Sequence, residues 1–454
     1  MTIETLPNET LLEMFSFYVD DIILEEEWFR LTHVCQRWRY IAFASSLRLN
    51  LRLYCRARKP VRMLNSWPTL PIVVAEPHCS EEGADNLISA FEHNARVCGI
   101  FIGLGGVSTS LLGRFSRALQ EPFPGLTDLA LQSADGTLVI PETFLGGSAP
   151  HLRSCRVDYL PLPALRTLLL SASHLLYLCL WRVPHSAYIS PEAMVTCLSA
   201  ATSLKSLDFR FLSPRSRPDR ATRRPPPLIR TILPALTDFH FHGVSEYLED
   251  FISQVDAPLL NVVDIRLFHQ LTFDVSQLHQ LIGRTETLGG FNIANVVLDD
   301  DFTRVDLSRQ MRAYSRPMIG LAMRCSGSDW QLSFLAQACR LLSPTLSTFE
   351  TLNVRESEYQ LRSGWEDHVE NSQWLELFHS FNCVKNLCLS KKIVPLVVPT
   401  LQQLAEERVT DVLPVLQNLY LEGLQPSEPI QDGIGQFVAR RRFFNHPVTV
   451  EPWD

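Results

Sequence analysis

Apolar residues recur along this chain in one short phrase, apolar-x-x-apolar-x-apolar. It reads Val97, Ile100, Ile102; Leu126, Leu129, Leu131; Leu152, Cys155, Val157; Leu175, Leu178, Leu180; Leu204, Leu207, Phe209; and Leu236, Phe239, Phe241. It continues as Leu260, Val263, Ile265; Leu288, Phe291, Ile293; Met318, Leu321, Met323; Phe349, Leu352, Val354; Val384, Leu387, Leu389; and Leu416, Leu419, Leu421. Successive phrases stand roughly 23 to 35 residues apart. Each phrase predicts a short strand whose intervening side chains point away from the core. Between phrases the apolar spacing turns helical, over residues 81–95, 108–120, 191–201, 244–255, 330–341 and 373–381. A strand, a turn and an amphipathic helix cannot hide their own apolar face. Stacking such blocks predicts a continuous core, with strands on an inner curve and helices outside.

The first fifty residues follow a different rule. Asn8 is positioned to cap a helix whose face carries Leu11, Leu12, Phe15 and Val19. A second stripe runs through Leu31, Val34, Cys35, Trp38, Ile41 and Ala42, and the acidic connector Asp20, Asp21, Glu25, Glu26 and Glu27 separates the two. Phe15, Phe17, Tyr18, Trp28, Phe29 and Trp38 are large for so short a block. Fewer than about fifty residues rarely bury enough surface to fold alone. Something must cover the excess, either a partner or the domain that follows.

The motif Leu-Pro-x-Glu-x-Leu-Leu-x-x-Phe, followed by Val-Cys-x-x-Trp-x-x-Ile-Ala, resembles an F-box, the segment that docks a protein onto the Skp-type adaptor of a cullin ubiquitin ligase. The likeness covers about a tenth of the chain, and the acidic connector is longer than the usual link. It implies that Leu6, Pro7, Glu9, Leu12, Phe15, Val34, Cys35 and Trp38 contact the adaptor. The downstream phrases resemble leucine-rich repeats of the irregular, fungal type that often follows an F-box, although no consistent Asn follows the strand. The implied fold is α/β: an F-box at 1–46, a linker with the first strand (Leu70, Ile72, Val73, Val74) at 47–80, and a horseshoe solenoid at 81–454. The implied partners are an Skp-type adaptor, through it a cullin and a RING subunit, and a client protein.

Composition narrows the remaining classes. With 454 residues and 46% hydrophobic content the chain can build a large core, and a net charge of −8 argues against general nucleic-acid binding. The greasy stretch 165–183 is broken by Arg166, Ser171, Ser173 and His174, so it is no membrane span. Eleven scattered cysteines without a Cys-x-x-Cys pair suit the reducing cytosol or nucleus, with Cys35, Cys98, Cys155 and Cys339 read as ordinary core thiols. Residues 213–230, rich in proline and arginine, read as a solvated loop with room for a nuclear-localisation or acid-binding role. Arg440, Arg441 and Arg442 suggest an exposed terminal helix around residues 436–444.

Catalytic readings fall short. Gly103-Leu104-Gly105-Gly106 follows a strand as a dinucleotide loop does, but the third glycine is missing and a tight turn explains it. His240 and His242 alternate on one strand without a third metal ligand in view. No enzyme and no cofactor are expected. Aromatic and arginine side chains beside the apolar positions, namely Tyr177, Trp181, Arg210, His240, His242 and Arg266, form the candidate client patch. Two functions stay open: a non-catalytic substrate receptor of a ubiquitin ligase, and a repeat scaffold whose opening helices merely close the array.

Overall fold

A computed structural model describes residues 6–20, 28–58, 70–134, 136, 140–161, 163–218, 229–270, 272–309, 317–325, 328–342, 349–357, 371–407, 411–423 and 428–453. The acidic connector 21–27, Trp67, and residues 219–228 of the proline- and arginine-rich loop lie outside these. The fold is mixed α/β and mostly parallel. The chain divides into two compact units, Met1–Tyr188 with Thr196–Leu204, and Ile189–Val195 with Lys205–Asp454.

The first unit opens with helices α1 (Asn8–Asp20), α2 (Trp28–Val34) and α3 (Gln36–Ala44). Strands β1 (Leu53–Cys55) and β2 (Ile72–Glu76), helix α4 (Ala84–Phe91), β3 (Val97–Leu104), α5 (Thr109–Ala118), β4 (Asp128–Ser133) and β5 (Ser154–Asp158) follow, then α6 (Leu165–Ser171) and β6 (Tyr177–Val183). β1 to β6 pair in chain order, every pair parallel. Sheet pairing thus starts at Leu53, earlier than the strand expected at Leu70. The Gly103 turn is a matter of space. A Cβ there would sit 1.9 Å from the Pro77 carbonyl oxygen, and Gly106 has φ +73°. Glycine serves the close approach and the left-handed turn, not a phosphate.

The boundary between the units falls within α7 (Pro191–Leu198). The second unit runs β7 (Ser206–Phe211), β8 (Thr231–Ile232), β9 (Asp238–Gly243), α8 (Ser245–Ile252), β10 (Val255–Asp256), β11 (Val262–Leu267), α9 (Ser276–Arg284), β12 (Ile293–Leu298), β13 (Phe302–Ser308) and β14 (Ile319–Arg324). It ends with α10 (Ser328–Leu341), β15 (Thr351–Glu356), α11 (Asn371–Phe378), β16 (Asn386–Leu389), α12 (Val394–Glu407), β17 (Asn418–Glu422), α13 (Glu428–Phe443) and β18 (Thr449–Trp453). β8 and β10 form a separate pair. The main strand order is β7-β9-β11-β14-β13-β12-β15-β16-β17-β18.

That order corrects the expected succession. β12 and β13 are joined by only residues 299–301, and a connection this short forces antiparallel pairing. β13 then pairs antiparallel with β14, which lies parallel beside β11. The Met318 phrase therefore neighbours the Leu260 phrase, and the Leu288 phrase is displaced toward β15. In that displaced phrase the strand begins only at Ile293.

The side chains of the apolar phrases are buried throughout, save the half-buried Met318. The helices cover them. In α5 the hydroxyl of Ser108 accepts from the Leu111 N–H at 3.3 Å, an N-cap. In the C-terminal strands an amide ladder adds to the pairing: Asn386 donates to Thr351 at 3.2 Å, and Asn418 donates to Asn386 at 2.8 Å. The outer edge strand β18 contains Pro452, which has no N–H to offer a further strand.

One cap comes from a neighbouring helix. The buried Glu249 of α8 accepts from the N–H groups of Gln277 (2.7 Å) and Leu278 (3.2 Å) and from the Ser276 hydroxyl (3.1 Å) at the start of α9. Burial pushes its carboxyl up to about 7, against the pull of those hydrogen bonds. The folded state therefore holds this proton more tightly than the unfolded chain does. The stability it contributes is complete below about pH 4.5 and is lost as pH rises through about 7. Burial and the Arg266, Arg210 and Arg324 guanidiniums hold His242 down at about 4, and this drives the opposite slope in the same window. The difference between Glu249→Gln and the parent chain isolates the carboxyl. Urea titrations at pH 5.5 and 7.5 should show the variant gaining about 1–2 kcal/mol relative to the parent over that interval.

Candidate protein-docking surfaces

The N-terminal block is part core and part surface. Leu11, Phe15, Trp28, Leu31, Ile41 and Ala42 are buried. The Phe15 ring lies 4.9 Å from that of Trp38, and Trp28 donates its indole N–H to the Arg52 carbonyl at 3.0 Å, just before β1. Phe15, read as an adaptor contact, is only 1% exposed and supports the surface from beneath. Asn8 is not the cap. It lies within α1, and its Oδ1 accepts from Arg37 Nη2 at 2.7 Å. Arg37 also donates to the Leu6 carbonyl, which draws the Leu6–Pro7 end against the start of α3.

The second apolar stripe is likewise broken. Cys35 leaves the helical conformation, with φ −160° and ψ 171°, and its Sγ accepts from the Trp38 N–H at 3.4 Å. The break turns Val34 and Cys35 outward instead of into the core. Pro7 and Glu9 are exposed, while Leu6, Leu12 and Trp38 are half-buried. Apolar area remains uncovered at Met14, Phe17, Val34, Tyr40 and Leu47, with Phe17 74% and Tyr40 73% exposed. Met14 and Phe17, three residues apart, share one face of α1.

Of the client candidates, Tyr177 and Trp181 belong to β6 of the first unit. Tyr177 is exposed, and the Arg156 guanidinium stacks 3.8 Å from the centre of the Trp181 ring. Arg210, His240, His242 and Arg266 come together in the second unit, on one face of the neighbouring strands β7, β9 and β11. Register sets them in two rows. Asp208, His240, Asp264, Gly320, Asp306, Asn295 and Asn353 face one another in succession. Two residues further along the strands, Arg210, His242, Arg266, Ala322, Arg304, Val297 and Arg355 do the same.

The rows are cross-linked by charge. Arg210 forks onto Asp208 with two contacts of 2.7 Å. Asp264 lies 3.0 Å from Arg304, 3.5 Å from Arg266 and 3.6 Å from His240 Nδ1. Arg304 is also bound to Asp306. Burial works to raise the Asp264 carboxyl, but His240 and the two guanidiniums outweigh it and hold it down at about 2. His242 packs its ring 4.4 Å from Phe268. His240 is thus turned to Asp264, and among the described residues no three His, Cys, Asp or Glu side chains group as a metal site.

Arg304 holds this network, and the repeated phrase does not mark it, because β13 lacks the apolar-x-x-apolar-x-apolar spacing. Gly320 makes room for it: a Cβ there would meet Arg304 Nη2 at 2.3 Å and Asp306 Oδ1 at 2.9 Å. Gly320→Val should dislodge Arg304 and cost about 2–4 kcal/mol in denaturant unfolding of the second unit. A loss below 1 kcal/mol would show that the network does not depend on that space.

No family model matches the chain, and no curated protein matches it.

Proposed function

We propose that the chain is the non-catalytic substrate receptor of an Skp–cullin–F-box ubiquitin ligase. Residues 1–46 dock an Skp-type adaptor, which brings a cullin and a RING subunit. The strand-and-helix units, read as an irregular leucine-rich-repeat solenoid, hold a client protein. The observation that carries the reading is the uncovered apolar area of Met14, Phe17, Val34 and Tyr40 on three short helices and of Leu47 in the turn that follows them. A large hydrophobic surface on so small a block is what an obligate partner removes from water. The chain itself does no chemistry. Its contribution is the raised effective concentration of client beside the charged ubiquitin donor.

The cysteines suit a reducing compartment, cytosol or nucleus, since none forms a disulfide. No helix among the described residues is long and apolar enough to cross a membrane. A scaffold reading has its own support in Trp28, which is buried and tied to the Arg52 carbonyl where the sheet begins. Capture by a purified Skp-type adaptor separates the two. Binding by the parent chain, lost in Phe17→Asp/Tyr40→Asp, supports the receptor; no binding by the folded parent chain leaves the scaffold.

A further inference from the structure

The register rows of the second unit carry a charge pattern of their own. Arg210, Arg266, Arg304 and Arg355 occupy β7, β11, β13 and β15, every second strand in the order β7-β9-β11-β14-β13-β12-β15. Neighbouring strands lie about 4.8 Å apart, so successive arginines of this row stand about 10 Å apart. Arg324, on β14, extends the same face two residues beyond Ala322. Counting both rows and Arg324, five guanidiniums face three carboxylates, with Asp238 a further step behind. Among the described residues neither Arg324 nor Arg355 has a carboxylate within ion-pair distance, and both are exposed. This cationic face belongs to a chain whose net charge is −8.

A site for a single phosphoryl group needs several cations converging on one point. Here single cations are spread along a line. A polyproline-II segment rises about 3.1 Å per residue with three residues per turn, so every third side chain lies on one edge, about 9 Å from the next. That period matches the arginine row. We propose that this face binds an extended acidic segment of a polypeptide, running across the strands with a carboxylate at every third position. The inference rests on the client-holding role given above to this unit and specifies what the client presents. Arg210, Arg266 and Arg355 meet the first, second and fourth carboxylates. The third passes over Arg304, whose guanidinium is shared between Asp264 and Asp306 and holds the row from beneath, and the neutral His242 fills the gap between Arg210 and Arg266 without repelling a cation.

The test uses the full chain and a fluorescent twelve-residue peptide with glutamate at every third position and proline or alanine between. Anisotropy should show saturable binding at 50 mM salt that weakens about tenfold or more at 300 mM. Arg266→Glu and Arg355→Glu should each weaken it about tenfold or more, while Arg340→Glu, on α10 outside the face, should not. Circular dichroism of each variant keeps a folding failure from counting as a loss of binding. Equal binding of a peptide with the same glutamates in one block would overturn the matched spacing. Tighter binding of a peptide with one phosphoserine, or no binding of the glutamate peptide, would overturn the proposal. Adaptor capture, read on the same preparation, reports separately on the receptor reading.

Discussion

Arg441→Ala is expected to destabilise the second unit by about 3–5 kcal/mol, the largest loss foreseen for any single side chain here. Arg441 is 0% exposed, although its neighbours Arg440 and Arg442 are open to water. Its Nη2 lies 3.2 Å from the Leu413 carbonyl, 3.4 Å from that of Pro414 and 3.3 Å from that of Leu416. Leu413 has φ 49°, a left-handed backbone that a leucine rarely adopts. One guanidinium therefore satisfies the turn ahead of β17 and holds it in a costly conformation. Alanine would remove this donor from all three carbonyls, leaving the Leu413 carbonyl only its bond from the Leu416 N–H, and open a cavity the size of the lost side chain. Arg441→Met keeps much of the packing but no donor, so it should fall between the two. Urea unfolding followed by tryptophan fluorescence gives both values. A loss under 1 kcal/mol for the alanine variant would mean that water takes over the carbonyls.

The second large effect concerns association. On the receptor role proposed above, Phe17→Asp/Tyr40→Asp should weaken capture by an Skp-type adaptor more than a hundredfold while moving the melting temperature of the isolated chain by no more than about 2 °C. An aromatic side chain buries about 150–250 Å² when covered, and roughly three quarters of each of these two is open. At about 25 cal/mol per Å², covering both gives about 5 kcal/mol or more. About 3 kcal/mol of that, surviving the ordering costs, already exceeds the roughly 2.8 kcal/mol of a hundredfold change. Phe15 is the contrasting position. Phe15→Ala should lower stability and binding together, because its ring underlies Trp38. Unchanged capture by the double variant would remove the exposed aromatics from the docking surface.

What the linear chain disclosed follows the range of the forces involved. The apolar phrases from Val97 to Leu421 marked core positions well, because burial at a strand is a local alternation. β13 is legible in part: Arg304-Val-Asp-Leu-Ser308 alternates polar and apolar, but Thr303 stands at the buried position before Val305, and the segment does not fit the six-residue phrase. Cys35 misled for a different reason. A thiol is a weak helix cap, so the stripe reads straight through it. Arg441 differs from Arg440 and Arg442 only by a turn of about 100° about the helix axis, which composition does not register. The Arg304 network needed partners from β11 and β13 and a gap on β14. Such a site exists only once register is fixed.

The back-folded trio of β12, β13 and β14 also limits how the molecule can be dissected. Where strands follow one another in chain order, a fragment ending after any strand keeps every remaining strand beside its neighbour. A fragment ending at residue 299 would instead strip β11 of β14 and leave β12 without a companion on either side. The fifty-odd residues after β11 are thus acquired or deleted as a single piece, and a boundary chosen by counting phrases would cut through the middle of it.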